Sequence, residues 1–143
     1  MLELPYRYET RLDWKEESRG ITSAAGKPEI AVGPPPEFGG RESWWSPEHL
    51  FIAAVETCFM TTFMAVARKS KLNVLGYESR AEGAVDKTTE GFSFARVTLH
   101  PVLKVAAADV ERTQRLLDLA KKHCLVSASL KTPVIIEAAV MSA

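Results

Sequence analysis

The sequence has few cysteines, and none of them are closely spaced. It contains two cysteines in 143 residues, Cys58 and Cys124, and they form no CxxC motif. This spacing excludes a disulfide-stapled secreted scaffold and a zinc site built from paired thiolates. In a reducing compartment, the two thiols are either both incidental or a working redox pair.

An excess of charge of one sign is also lacking. Lysine plus arginine and aspartate plus glutamate number 18 each, and no basic cluster is interleaved with aromatic residues. We therefore expect neither nucleic acid nor an anionic membrane as a partner. Residues 1–10 show neither the basic nor the apolar region of a signal peptide, so we expect a cytoplasmic protein.

The longest apolar run, from Ser46 to Lys69, predicts a helix. Ser46 is a good N-cap, Pro47 suits the first helical position, and Glu48 places a carboxylate in the first turn, where the helix dipole favours it. Residues 50–67 are apolar or small on almost every face, so we expect a helix that is buried all round. The run is slightly short for a membrane span and contains a carboxylate, which favours a core helix of a soluble protein.

The length fits a single domain, residues 1–143. Alternating bulky and polar residues predict strands over residues 6–14, 20–24, 27–32, 77–85, 92–105 and 132–140. Pro101 suggests that its strand lies at an edge or is bulged there. Helical spacing predicts a second helix capped by Asp109, with Cys124 just past its end and one more turn at 126–130. This order of elements is typical of an α+β protein.

Three short strings together resemble the OsmC/Ohr family of thiol-dependent hydroperoxide reductases. They are PEFGG feeding SPEHL over residues 36–50, AAVETCF over residues 53–59, and AKKHCLVSASLK over residues 120–131. The resemblance extends from about Trp14 to the C-terminus. It implies the OsmC-like fold, in which curved antiparallel sheets wrap around long central helices in an intertwined homodimer.

The resemblance also implies a two-cysteine peroxidase of the oxidative stress response. Cys58 matches the reactive cysteine, which attacks a small organic hydroperoxide and becomes a sulfenic acid. Cys124 matches the resolving cysteine, which condenses with it to a disulfide. The cycle implied needs no metal and no bound cofactor, but requires an external dithiol or lipoyl-type reductant.

A thiolate in apolar surroundings needs a nearby cation. In the family, an arginine paired with the glutamate at the helix start supplies it, and Glu48 matches that glutamate. Arg19 lies roughly where hydroperoxide reductases carry this arginine, and Arg41 on the loop before the helix is the competitor. Because ten helical residues rise about 15 Å, we expect Glu48 to serve the partner subunit's cysteine rather than Cys58 of its own chain.

The sequence departs from the family pattern near the expected site. Leu125 stands where many relatives carry proline, and Trp44 and Trp45 stand where hydroperoxide reductases tend to have small residues. The apolar helix, Phe59 and the two tryptophans favour a fatty or aryl hydroperoxide. The alternative is a non-catalytic dimer that binds a small apolar molecule, while a general thiol oxidoreductase is disfavoured by the missing CxxC.

Overall fold

The computed structural model describes residues 3–143 and divides them into two compact units, with the boundary between Leu50 and Phe51. A long helix, α1, begins in the first unit and continues into the second. The helices are α1 (Pro47–Lys69), α2 (Val110–His123) and α3 (Leu125–Ala128). The strands are β1 (Arg11–Glu16), β2 (Arg19–Ser23), β3 (Ile30–Val32), β4 (Gly76–Thr88), β5 (Gly91–Val105), β6 (Val134–Ile136) and β7 (Ala139–Ser142).

The first unit contains the expected meander, an antiparallel sheet in the order β1-β2-β3. β1 begins at Arg11 rather than at residue 6. Arg11 is in register with Ser23, the last residue of β2, so the residues before Arg11 have no strand to pair with. Every residue of β1 is exposed on the single chain.

α1 begins and ends where the sequence predicts. The Ser46 hydroxyl accepts a hydrogen bond from the His49 backbone N–H at 3.1 Å, which is the expected N-cap contact. The same hydroxyl lies 2.7 Å from Nδ1 of the His49 ring. At the other end, Arg112 donates to the Ser70 carbonyl at 2.9 Å and satisfies an acceptor just beyond the helix.

The expectation that α1 is buried all round is wrong for the single chain. Its buried residues follow one another every four positions and form one stripe: Val55, Phe59, Phe63 and Ala67. The exposed face lies between them and is uncharged until the last turn: Ala54, Thr57, Met60, Thr61 and Met64. The apolar composition correctly predicted burial for one stripe of α1. The second unit has one sheet to cover this helix, so the opposite face of α1 stays exposed.

By length and composition alone, α1 would also qualify as a membrane-spanning helix, with a mean hydropathy of 1.8 over its most apolar stretch. The core helix of a soluble protein passes the same test, so this single helix is weak evidence for a membrane.

The second unit is built on a hairpin of β4 and β5, as predicted, with β6 and β7 added on the other side of β5. β6 and β7 run parallel to β5, which corrects the expectation of purely antiparallel sheets. α2 lies between β5 and β6 in the chain and provides the crossover that a parallel pair needs. The predicted closing strand over residues 132–140 is thereby divided into two short strands.

β5 is a central strand, so the expectation of an edge or a bulge at Pro101 is wrong. Pro101 lies where the neighbour of β5 changes, because β6 pairs as far as Leu99 and β7 begins at Val102. A residue without an N–H is tolerated at such a gap in the ladder. The bulge is at Ala95, and it moves Phe94 to the helix-facing side, where its ring stacks on Phe51 at 4.6 Å.

The core of the second unit joins one face of α1, one face of β5 and the inner face of α2. Its buried members are Val55, Phe59, Phe63, Ala67, Leu72, Val97, Leu99, Leu103, Val105, Leu117, Ala120 and Cys124. Asp109 precedes α2 but makes no side-chain cap, because its carboxylate instead accepts from Arg112 Nε at 2.9 Å. The core therefore fixes α1 and the end of α2 in one packed arrangement.

We expect Phe63→Ala to lower the free energy of unfolding by about 3–5 kcal/mol, because it opens a cavity in this core. The matched control is Phe92→Ala, since Phe63 is fully buried whereas Phe92 is 64% exposed. The control should cost less than about 1 kcal/mol. Urea titrations of both variants measure the difference, and equal losses would contradict the assignment of Phe63 to the core.

Candidate active site

The second unit brings the two cysteines together from distant parts of the chain. Cys58 is partly buried on α1, next to the core residue Phe59, and Cys124 is buried in the junction between α2 and α3. Both are free thiols, and each affects the pKa of the other. The fold therefore makes neighbours of two thiols that are far apart in the sequence.

The surroundings of Cys58 favour its thiolate. Burial alone would raise the pKa of Cys58, but hydrogen bonds to the sulfur outweigh it and leave the pKa below its ordinary value. The donors are the Val126 backbone N–H, the Cys124 thiol, the Thr62 hydroxyl and the Leu125 backbone N–H, in decreasing order of effect. A cysteine with this environment is the better nucleophile of the pair near neutral pH.

Cys124 is affected in the opposite direction. Burial raises the pKa of Cys124, and the hydrogen bonds donated by the Ser127 hydroxyl and backbone N–H only partly offset it. The Cys58 thiolate raises the pKa of Cys124 further, since it accepts the Cys124 proton as a hydrogen bond and repels a second negative charge. In the reduced protein, Cys58 therefore ionises first and Cys124 remains a thiol.

Two hydroxyl-bearing residues at this site are absent from the sequence-based candidates. Thr62 Oγ1 lies 3.9 Å from Cys58 Sγ, and the Ser127 hydroxyl donates to Cys124 Sγ at 3.4 Å. Each follows its cysteine at helical spacing, Thr62 four residues after Cys58 and Ser127 three residues after Cys124. That spacing was the available signal for both residues.

Glu48 lies in the first turn of α1, as predicted from the sequence. Its Oε1 atom is buried and, within residues 3–143, has no hydrogen-bond partner. A buried carboxylate oxygen without a partner is costly and indicates a group that is completed by something else.

Arg19 lines an apolar cleft of the first unit with a volume of about 630 Å³. Apolar side chains dominate its wall, including Leu12, Trp14, Val32, Pro34 and Leu50. Arg19 forms an ion pair with Glu16 at 3.9 Å, and its side chain is one-third exposed. A cleft of this kind suits a ligand with an apolar body and a polar or anionic group.

Arg41, the competing arginine, lies over the ring of Trp44, 5.5 Å from its centroid. It lines a smaller polar cleft of about 330 Å³ together with Glu37, Glu42 and His49. In the described part of the chain, neither Arg19 nor Arg41 forms an ion pair with Glu48. The choice between the two arginines stays a prediction.

Phe59 was expected to contact the organic part of a substrate, and this expectation is wrong. Its side chain is 1% exposed and belongs to the core of the second unit.

Among residues 3–143, no group of three or more histidine, cysteine, aspartate or glutamate side chains is arranged to hold a metal ion.

These observations define an α+β protein in which a long helix and a helix end bring two free thiols together. A family model described as OsmC-like protein matches residues 40–139, which is well over half of the chain. The chain belongs to this family, and its proteins are typically soluble. A curated relative, the uncharacterised protein YmaD of Bacillus subtilis, is 23% identical over 131 residues, covering 88% of this chain and 87% of YmaD.

Solved structures share the fold. An OsmC-like protein of unknown function from Vibrio cholerae has a TM-score of 0.85 and 22% identity, covering 93% of this chain and 99% of that one. An organic hydroperoxide resistance protein from Elizabethkingia anophelis, with thiocyanate bound, has a TM-score of 0.78 and 20% identity over 99% of this chain and 100% of that one. These likenesses confirm the predicted OsmC-like fold.

We expect Thr62→Val to raise the pKa of Cys58, because valine keeps the shape of threonine but removes the hydroxyl beside the sulfur. The rate of alkylation of Cys58 by iodoacetamide at pH 7 should fall about two- to three-fold, as expected for one weak hydrogen bond. Measurement in a Cys124→Ser background isolates the Cys58 thiol.

The matched control is Thr61→Val. The Thr61 hydroxyl donates to the Cys58 carbonyl oxygen at 3.1 Å rather than to the sulfur. Its loss should leave the alkylation rate unchanged. Equal rates for both valine variants would contradict a role for the Thr62 hydroxyl at the thiolate.

Proposed function

We propose that this protein is a thiol-dependent peroxidase that reduces organic hydroperoxides to alcohols through a Cys58–Cys124 disulfide cycle. The Cys58 thiolate attacks the terminal peroxide oxygen, so that an S–O bond forms, the O–O bond breaks and the alkoxide leaves and is protonated to the alcohol. Cys124 then displaces water from the sulfenic acid to form a disulfide. An external dithiol, such as a lipoyl-type reductant, restores both thiols.

The observation that carries this proposal is that two thiols far apart in the sequence are neighbours in the structure and affect each other's pKa. Their surroundings favour different roles, nucleophile for Cys58 and resolving cysteine for Cys124, because the pKa of Cys58 is lowered and that of Cys124 is raised. A nucleophile that is ionised before its resolving partner fits the order of the two steps. Relatives of the same fold include proteins named organic hydroperoxide resistance proteins, which agrees with this chemistry.

An organic substrate is favoured over hydrogen peroxide by the cleft that Arg19 lines. Its apolar wall would bury the organic part of the substrate, and the guanidinium of Arg19 would polarise the peroxide group. For this to occur, the first unit of one chain must approach Cys58 of another chain. We propose that a homodimer provides this arrangement.

Two features support the homodimer and its composite site. The exposed face of α1 is uncharged, includes the exposed side chains of Met60 and Met64, and would be covered by a second copy. Glu48 lies ten residues from Cys58 on the same helix, about 15 Å along its axis. Its buried, unpartnered oxygen would then serve, through an arginine, the cysteine of the partner subunit.

Addition of one equivalent of cumene hydroperoxide to the reduced protein should remove both thiols within seconds to minutes and yield one intramolecular disulfide. The reason is that the pKa of Cys58 lies below its ordinary value and that Cys124 is its neighbour. Thiol titration and mass spectrometry measure the loss. Cys58→Ser should abolish the reaction, and Cys124→Ser should stop it at a sulfenic acid that dimedone traps. Two unreactive native thiols would contradict the proposed function.

Mixing two inactive variants tests the composite site. Glu48→Gln and Cys58→Ser homodimers should each have little activity, whereas refolding them together should recover about a quarter of the wild-type activity. Half of the chains would then be in heterodimers, and each heterodimer would hold one intact site. The control is a mixture of Cys58→Ser and Cys124→Ser. It should recover no activity, because both cysteines of a site come from the same chain and every site in the mixture lacks one of them. No recovery in the first mixture would contradict a site shared between subunits.

The cleft of the first unit also favours a second candidate, a non-catalytic dimer that binds a small apolar molecule. In that case, the two thiols would serve only to pack α1 against the junction of α2 and α3. The two candidates differ in one measurement, since a binding protein would take up an apolar ligand without losing thiols to a hydroperoxide.

A further inference from the structure

The segment after Cys124 places a side chain against its sulfur. Ser127 is half-buried in α3, and its hydroxyl donates to Cys124 Sγ at 3.4 Å. The Cys124 thiol in turn donates to Cys58. Ser127, Cys124 and Cys58 therefore form a chain of hydrogen bonds in which each group donates to the next sulfur.

We propose that Ser127 is a positioning residue for disulfide formation, holding the Cys124 sulfur toward Cys58 and stabilising it as a thiolate when it attacks. This proposal rests on the proposed peroxidase cycle and deepens its second step. The Ser127 hydroxyl donates to the Cys124 sulfur, so Ser127 would act through Cys124.

The step balances without a further reactant. The Cys124 thiolate attacks the sulfur of the Cys58 sulfenic acid, the S–S bond forms and the S–O bond breaks. The departing hydroxide takes up the proton that Cys124 released and becomes water. The Ser127 hydroxyl keeps its proton throughout and contributes a hydrogen bond alone.

The chain of hydrogen bonds explains why Cys124 becomes reactive only after Cys58 is oxidised. In the reduced protein, the negative charge on Cys58 opposes ionisation of Cys124. A sulfenic acid is neutral, so oxidation removes this opposition while the hydrogen bond from Ser127 remains. In the described part of the chain, Cys58 is the titratable group that acts on Cys124, whereas Lys121, Lys122 and His123 on α2 are exposed to solvent.

The test is Ser127→Ala in the full chain, with disulfide formation followed by rapid mixing with cumene hydroperoxide. Formation of the sulfenic acid should proceed at the wild-type rate, because Ser127 does not contact Cys58. If the pKa of Cys124 rises by about one unit, its thiolate fraction falls about ten-fold and its intrinsic nucleophilicity rises about three-fold. Disulfide formation at pH 7 should therefore slow about three-fold.

The pH dependence gives a readout that a merely structural defect would not produce. Above the pKa of Cys124 in both proteins, the thiolate is fully formed and the more basic thiolate of the alanine variant is the stronger nucleophile. The two rate profiles should therefore cross, with the variant slower at neutral pH and up to about three-fold faster at high pH. Ser127→Thr keeps a hydroxyl and should restore the wild-type profile.

Ser129→Ala is the matched control. Ser129 is an exposed serine just after α3, and its hydroxyl donates to the Leu125 carbonyl at 2.9 Å rather than to a sulfur. Its profile should match that of the wild type. In a Cys58→Ser background, the ionisation of Cys124, read from thiolate absorbance, should move to higher pH in Ser127→Ala but not in Ser129→Ala.

The outcomes separate this proposal from the one on which it rests. If the wild type forms its disulfide and Ser127→Ala forms it with the same pH profile, the role of Ser127 is overturned and the peroxidase cycle stays intact. A wild-type protein that forms no disulfide with the hydroperoxide overturns both. A uniformly slower variant, with no crossing and no change in Cys124 ionisation, assigns Ser127 a structural role and overturns the proposal.

Discussion

The packing of one face of α1 against β5 is the constraint on which the candidate site depends. Val55, Phe59 and Phe63 repeat every four residues, so burying this stripe fixes the rotation of the helix. Cys58 precedes Phe59 and is thereby held at the margin of the core, partly buried. Cys124 belongs to the same core through the end of α2, so the interaction that stabilises the second unit also brings the two sulfurs together.

Burial affects both thiols in the same direction, and the hydrogen-bond donors around each one decide the difference between them. Cys58 accepts hydrogen bonds from two backbone N–H groups of α3 as well as from the Cys124 thiol. Cys124 must share its environment with the charge that forms on Cys58. A pair of neighbouring thiols cannot both ionise at low cost, so the better-solvated sulfur takes the charge and the other keeps its proton.

Features with local signals could be predicted from the sequence. The cap at Ser46, the start of α1 at Pro47 and the β4–β5 hairpin depend on neighbouring residues, and the structure has them where they were expected. The match of several strings to one family identified the fold, although each string alone is short. Cys58 and Cys124 were paired by that resemblance, and in the structure each affects the pKa of the other.

Features that depend on partners distant in the sequence could not be predicted in the same way. Composition cannot tell which face of an apolar helix remains uncovered, because this depends on how many other elements are available to pack against the helix. The bulge at Ala95 changes the face on which Phe94 lies, and a pattern of alternation cannot reveal one extra residue. The predicted pairing of Glu48 with an arginine would depend on the placement of whole segments, which a spacing in sequence does not specify.

Two costs on the single chain point to the same remedy. The exposed methionines of α1 lose the free energy that their burial would contribute. The buried Oε1 atom of Glu48, which has no hydrogen-bond partner within residues 3–143, costs about 1–3 kcal/mol. A small apolar ligand could cover the methionines but offers no cation for Glu48. A second copy of the chain offers both an apolar face and a guanidinium, so the proposed homodimer would relieve the two costs together.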